Sequence, residues 1–253
     1  MNQAERQQFI IERLTKESYA EVDQLASEMA VSTMTVRRDL DMLDKSGLVV
    51  RYHGGAQLNK SLIGEISYAK KNTQHIKEKK LIASRAVELI GDGDVVFLDS
   101  GTTTGEIAKL LCLQNRGLTV VTNDLNAALI LTESSVHLII LGGVVHKSTQ
   151  SVISHSEEQD LKRYRFSKAF IGTPAIDREF NIYTPTMDKY YVKRAVMQNS
   201  LESYLVADSS KFYGQSLCVV GSLPEFTGII TDKKFNEEES KRLTDMLVRI
   251  LGV

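Results

Sequence analysis

Residues 22–55 read VDQLASEMAVSTMTVRRDLDMLDKSGLVVRYHGG. Val22, Leu25, Ala26 and Met29 recur at helical spacing and make one apolar stripe. Ala30-Val31 breaks the period, and Ser32 has the side chain of an N-cap for a second helix over about 33–44. In that helix Val36, Leu40 and Leu43 share the buried side. At about 100° per residue the opposite side carries Met34, Arg38, Asp41 and Lys45, flanked by Thr35 and Arg37. Gly47 ends the helix, Leu48 to Tyr52 is strand-like, and His53-Gly54-Gly55 can turn a hairpin. Two short helices, a tight turn and a hairpin predict a winged helix-turn-helix. A helix with threonines and arginines near its start suits the major groove of DNA. The candidate DNA-contacting residues are Ser32, Thr33, Met34, Thr35, Arg37, Arg38 and Lys45 on the helix, with Arg51 and His53 on the wing.

The chain has 253 residues, enough for a second domain beside this one. It is 42% hydrophobic and 25% charged, the balance of a soluble globular protein. Its uncharged apolar runs fall well short of a membrane span, and the first residues, Met1 to Arg6, lack the apolar centre of a signal peptide. Two cysteines, Cys112 and Cys218, give no disulfide framework, so a cytoplasmic location is expected. Charge does not by itself favour DNA. Residues 1–57 carry seven Lys/Arg and nine Asp/Glu, so the case rests on where Arg37, Arg38, Lys45 and Arg51 point. Residues 58–85 carry seven Lys/Arg against two Glu. That run reads either as a solvated linker and helix face or as a contact surface for an anion.

A first helix is expected over Gln3–Lys16 with Ile10, Ile11 and Leu14 inward, which completes a DNA-binding domain at 1–57. Residues 58–74 read as a linker and 75–253 as a second domain. There, short apolar runs alternate with helical segments. The runs are Val95–Leu98, Leu118–Val121, His137–Leu141, Ala169–Ile171, Tyr204–Ala207, Leu217–Val220, Gly228–Ile230 and Val248–Leu251. Runs of this kind fit strands buried on both faces, and the alternation predicts a mainly parallel, layered α/β sheet. Ligands of such sheets sit beyond the carboxyl ends of the strands. The residues found there are Asp99, Ser100, Gly101, Thr102, Thr103 and Thr104, then Asn123, Gly142, Gly172-Thr173 and Asp208-Ser209-Ser210-Lys211. Hydroxyls, amides, glycines and a lysine suit phosphate and sugar hydroxyls better than acid–base chemistry. Ser100–Thr104 reads as an anion-binding strand-to-helix turn or as an ordinary capped turn, because both use the same residues. Lys211 can supply a point charge to a phosphate, or can belong to a surface turn. Lys193-Arg194 is read as a solvated helix face. Five histidines without ligand spacing predict no metal site, and no cofactor is expected.

Over nearly its whole length the chain resembles DeoR-type bacterial transcriptional regulators. The resemblance is carried by Ser32-Thr33-Met34-Thr35-Val36-Arg37-Arg38-Asp39-Leu40 and Arg51-Tyr52-His53-Gly54-Gly55-Ala56. It continues through Phe97–Thr104, Thr122-Asn123, Gly142-Gly143, Lys168–Gly172, Val192-Lys193-Arg194-Ala195 and Ala207–Phe212. It implies a repressor, less often an activator, of a carbohydrate operon that binds double-stranded operator DNA as a homodimer or homotetramer. It also implies a sensor domain similar in fold to ribose-5-phosphate isomerase, with a phosphorylated sugar or sugar acid as effector. Asp99–Thr104, Asn123, Gly142 and Lys211 would then face that effector. The isomerase has a Lys-Gly-Gly-Gly stretch followed by a catalytic glutamate. Here Asp177-Arg178-Glu179-Phe180-Asn181 stands instead, which implies binding without catalysis, so no enzyme is expected. The alternatives are a sugar-phosphate isomerase with an appended DNA-binding domain, or a second domain that only oligomerises. The chain departs from the family at Thr173-Pro174-Ala175-Ile176-Asp177, Asn181–Pro185 and Thr122-Asn123-Asp124, which bears on the sugar portion of the effector.

Overall fold

The computed structural model describes residues 3–17, 19–45, 49–52, 54–58, 66–114, 116–153 and 161–253. They form two compact units, Met1–Gly64 and Glu65–Val253.

The first unit runs α1 (Gln3–Glu17), β1 (Tyr19–Glu21), α2 (Val22–Met29), α3 (Thr33–Lys45), β2 (Val49–Tyr52) and β3 (Gly55–Leu58). The apolar stripes meet in one core of Ile10, Leu14, Val22, Leu25, Val36, Leu40 and Leu43. The turn between α2 and α3 is made by Ala30 in the left-handed region, φ 52°, with the Val31 N–H donating to the Ala26 carbonyl. The three strands form an antiparallel sheet in the order β1-β3-β2. Strand β1 was not expected, because three residues are too short to show a period. Its pairing explains Gly55, where a Cβ would lie 2.5 Å from the Ala20 carbonyl oxygen. Asp39, on the buried side of α3, is held by Arg6 of α1 at 2.6 Å.

The second unit opens with α4 (Tyr68–Asn72) and α5 (Ile76–Val87), then β4 (Val95–Leu98), α6 (Thr102–Cys112), β5 (Thr119–Thr122), α7 (Leu125–Leu131) and β6 (His137–Ile140). A hairpin of β7 (Val144–His146) and β8 (Ser151–Ile153) follows, then β9 (Phe166–Gly172), β10 (Asn181–Thr184) and α8 (Met187–Gln198). The chain ends with β11 (Ser200–Val206), β12 (Cys218–Ser222), β13 (Gly228–Thr231), α9 (Glu237–Asp245) and β14 (Ile250–Gly252). Seven strands form a wholly parallel sheet in the order β14-β13-β11-β9-β4-β5-β6. Alternate residues serve the two faces. Val96, Leu98, Val120, Phe170 and Tyr204 pack with α5, α6 and α7, while Phe97, Val121, Ala169, Ile171 and Leu205 pack with α8 and α9.

Two expectations change. The run Leu217–Val220 reads as a strand of the main sheet, but β12 pairs antiparallel with β10 in a separate two-stranded ribbon. Its Val219 is 49% exposed, so it lacks the two-sided burial of a central strand. The expected linker, 58–74, is divided. Residues 59–65 lie outside the described residues, whereas Tyr68–Asn72 is helix and belongs to the second unit.

From β4 the chain steps outward to β5 and β6, then returns to lay β9 on the other side of β4. The strand order therefore reverses between β4 and β9. The loops leaving the carboxyl ends of these two strands diverge there, the position at which ligands of open α/β sheets bind.

Candidate functional site

On α3, the Thr35 N–H donates to Ser32 Oγ at 3.2 Å, and the two hydroxyls lie 2.9 Å apart. Ser32 is thus the N-cap its position suggested, and its oxygen is occupied by that bond. Thr33, Met34, Arg37 and Arg38 are exposed on the same helix, and neither arginine forms an ion pair with a described residue. Arg51, expected to reach a DNA backbone from the wing, is instead ion-paired with Asp41 of α3. Its Nε is buried without a hydrogen-bond partner. The wing strand and the helix are thereby tied together at the cost of one available cation. The side chain of Lys45, and His53 altogether, lie outside the described residues.

In the second unit the carboxyl ends of β4 and β9 meet at Asp99. Its Oδ2 accepts the Gly172 N–H at 3.0 Å and is ion-paired with Lys193 of α8. Lys193 also donates to the Gly172 carbonyl at 2.8 Å. This corrects the reading of Lys193 as a solvated side chain: it is 5% exposed and buried against the sheet. Lys189, Val192, Lys193 and Val196 are all buried on α8, so the lysine lies within the helix's apolar stripe. That periodicity was the available signal. The pair also occupies Asp99, which was expected to face an effector. Asp99 instead fixes the ends of β4 and β9 against each other.

Next comes the turn Ser100–Thr104. Gly101 donates its N–H to Asp124 Oδ2 at 3.1 Å, and the same carboxylate caps α7 through the amides of Asn126 and Ala127 at 2.8 and 2.9 Å. Burial pushes the Asp124 carboxyl above the usual range, against the pull of those amides. Asp124 is not among the candidate contact residues, but it lies in the departure Thr122-Asn123-Asp124 that bears on the sugar portion of the effector. Thr104 was expected to offer its hydroxyl to a phosphate. It is fully buried and donates instead to the carbonyls of Asp99 and Gly101, 2.6 and 2.8 Å away. Thr102 and Thr103 remain: their hydroxyls make no hydrogen bond with a described residue, and they stand with their amides in the unbonded first turn of α6.

Beside β4, at the end of β5, Asn123 is 1% exposed and its Oδ1 is buried without a partner. Gly142 is exposed beyond the edge strand β6, two strands from β4. Lys211 sits on a single 3-10 turn after β11, its Nζ 3.9 Å from Asp208 Oδ2. β9 stands between β4 and β11, so the two polar loops flank its carboxyl end from either side, about 10 Å apart at the usual strand spacing. Asp177 organises the neighbouring loop, accepting from the amides of Glu179 and Asn181 and from the Tyr183 hydroxyl, each at 2.9 Å. Burial, with Asp177 next, pushes the Tyr183 hydroxyl up to about 12. Among the described residues no group of His, Cys, Asp and Glu has the arrangement of a metal site. No described helix is long and apolar enough to cross a membrane.

A winged helix-turn-helix joined to a parallel α/β domain with polar loops at its carboxyl edge is the architecture of a transcriptional regulator. The DeoR-like helix-turn-helix domain matches residues 6–62 and the DeoR C terminal sensor domain matches residues 74–233. The chain belongs to the DeoR family. The HTH-type transcriptional regulator GlpR of Haloferax volcanii is 32% identical over 98% of this chain and 97% of its own. The lactose phosphotransferase system repressor of Staphylococcus epidermidis is 31% identical over 100% of both chains. A putative aga operon transcriptional repressor of Escherichia coli O157:H7 is 36% identical over 99% of this chain and 94% of its own. Among solved structures, ribose 5-phosphate isomerase A from Methanocaldococcus jannaschii aligns over 53% of each chain at 18% identity, with a TM-score of 0.40.

Proposed function

We propose that this DNA-binding regulator represses a carbohydrate operon and is released from its operator by a phosphorylated sugar or sugar acid. The observation that carries the effector half is the first turn of α6. Its amides and the hydroxyls of Thr102 and Thr103 have no partners among the described residues, and they stand where the strand order reverses. A helix start with free N–H groups favours an anion through both hydrogen bonds and the helix dipole. Asn123 Oδ1, buried and unpartnered beside it, suits a sugar hydroxyl. Lys211 supplies a charge from the far side of β9. The names of the relatives, a lactose phosphotransferase system repressor and an aga operon repressor among them, favour a carbohydrate operon. The effector acts on DNA affinity by favouring one arrangement of the protein over another. The expected assembly on a two-fold operator is a homodimer or a multiple of one. The architecture serves recognition, with no catalytic step assigned to it.

The test is a thermal-unfolding screen of the purified protein against sugar phosphates and sugar acids, each paired with its unphosphorylated form. A ligand at about 100 times its dissociation constant adds roughly 2.7 kcal/mol to the folded state. A shift from a phosphorylated compound and none from its parent sugar is the expected result, followed by loss of operator binding with that compound. Equal shifts from both forms would remove the anion site from the proposal.

A further inference from the structure

The segment that leads from the first unit into the second ends on the effector site, and this has a consequence for regulation. Helix α4 is held at both ends. The Tyr68 N–H donates to the carbonyl of Ser148, in the turn between β7 and β8, at 2.8 Å. That hairpin in turn sits on the β5–α7 turn, where Val152 N–H donates to the Asn123 carbonyl at 2.8 Å and Leu125 N–H to the Gln150 carbonyl at 3.0 Å. At the other end, Lys79 of α5 donates to the carbonyls of Lys71 and Gln74, 2.5 and 2.6 Å away. Lys79 is 4% exposed and lies within electrostatic reach of Lys211 and Asp208. The strap thus runs from the hairpin beside β5 toward the Lys211 loop beyond β11, past α6.

Between these anchors the Tyr68 hydroxyl reaches α6 at Gly105. A Cβ placed on Gly105 would be 3.3 Å from the Tyr68 hydroxyl, so a glycine there keeps the approach open. The Tyr68 hydroxyl makes no hydrogen bond with a described residue. Burial, then Asp124 and Glu106, push it up to about 12, so it stays protonated and remains a donor. Asp124 is enclosed by amides, and Glu106 is paired with Lys109 at 2.6 Å.

We propose that Tyr68 is a contact residue of the effector site, its hydroxyl donating to an oxygen of the anion held at the first turn of α6. This rests on the reading of that turn as the effector site. The effector thereby fixes the strap immediately preceding α5, which is the segment through which the DNA-binding unit is attached. Weaker effector binding and loss of the strap's response are one event at one hydroxyl.

The experiment uses the full chain and the Tyr68→Phe variant, which keeps the ring and its packing. Inorganic phosphate and a panel of hexose and pentose monophosphates are the probes. Thermal shift gives affinity, and hydrogen–deuterium exchange of residues 66–74 gives the response of the strap. The expected result is that wild type gains protection in 66–74 with a binding probe. Tyr68→Phe, unfolding at the wild-type temperature without probe, binds the same probe about 10-fold more weakly and gains no protection there. A Tyr68→Phe protein that titrates and is protected like wild type overturns the proposal and leaves the effector site standing. A wild-type protein that responds to none of the probes overturns the effector site and the proposal with it.

Discussion

Single residues decide how the site at the carboxyl edge is used. Lys193 and Asp99 form a buried pair that also holds the Gly172 backbone, so removing one partner strands a charge away from water. Breaking such a pair costs about 3–5 kcal/mol. Lys193→Met is therefore expected to lower the denaturant midpoint strongly, and adding Asp99→Asn to recover part of the loss. Equal midpoints for wild type and Lys193→Met would mean that the pair does not hold β4 to β9. On the DNA side, Arg38 is exposed on α3 and has no ion-pair partner among the described residues. Arg38→Ala is expected to cost about 1–3 kcal/mol of operator binding, read by titration at fixed salt, with the fold intact. Residue types were legible in the sequence, but their spending was not. Thr102, Thr103 and Thr104 look alike in the sequence, yet only Thr104 turns inward to backbone carbonyls. Arg51 reads as a free cation in the sequence, and the fold sets Asp41 opposite it. Pairings between residues far apart in the chain carry no local period, so no reading of spacing could have supplied them.

At the scale of elements, the helices and strands with clear periods appear where their patterns put them, with α3 and the strands of the parallel sheet the best examples. The misses are short or one-sided. β1 is three residues long, and β10 and β12 form a ribbon whose Val219 faces outward. Element junctions yield their own predictions. Ser32 caps α3, so Ser32→Ala is expected to destabilise the first unit by about 1 kcal/mol, measured by urea unfolding. At the start of β4, Asp94 is bonded to Lys168 of β9 at 2.8 Å and to the Gly91 amide at 2.8 Å. Burial raises the Asp94 carboxyl, but these partners outweigh it and hold it below the usual range. A depressed folded value means that the stabilising increment is present above the unfolded value of about 3.9 and is lost as pH falls through the folded one. Asp94→Asn should accordingly destabilise at neutral pH and become neutral in strong acid. A deficit that stayed constant from neutral pH into strong acid would assign the effect to packing.

The two units of the whole molecule have separate cores. A fragment of residues 66–253 is therefore expected to fold alone and to keep its thermal shift with an effector, while it loses operator binding. A fragment that unfolds on isolation, checked by circular dichroism, would show that the second unit depends on the first. Lys211→Ala in the full chain is expected to separate the same two properties, retaining DNA binding and losing the effector response.

The return of the chain to place β9 beside β4 has a consequence in time. The Val95 amide and the Ser167 hydroxyl that meet across this seam are 72 positions apart, whereas the core of the first unit is complete within its own short stretch. Contacts that distant close late, after the entropy of a long loop has been overcome. As the chain emerges from the ribosome, the DNA-reading unit can be finished while the seam between β4 and β9 does not yet exist. A chain interrupted before β9 would carry a reader without a receiver, unable to answer any signal from metabolism.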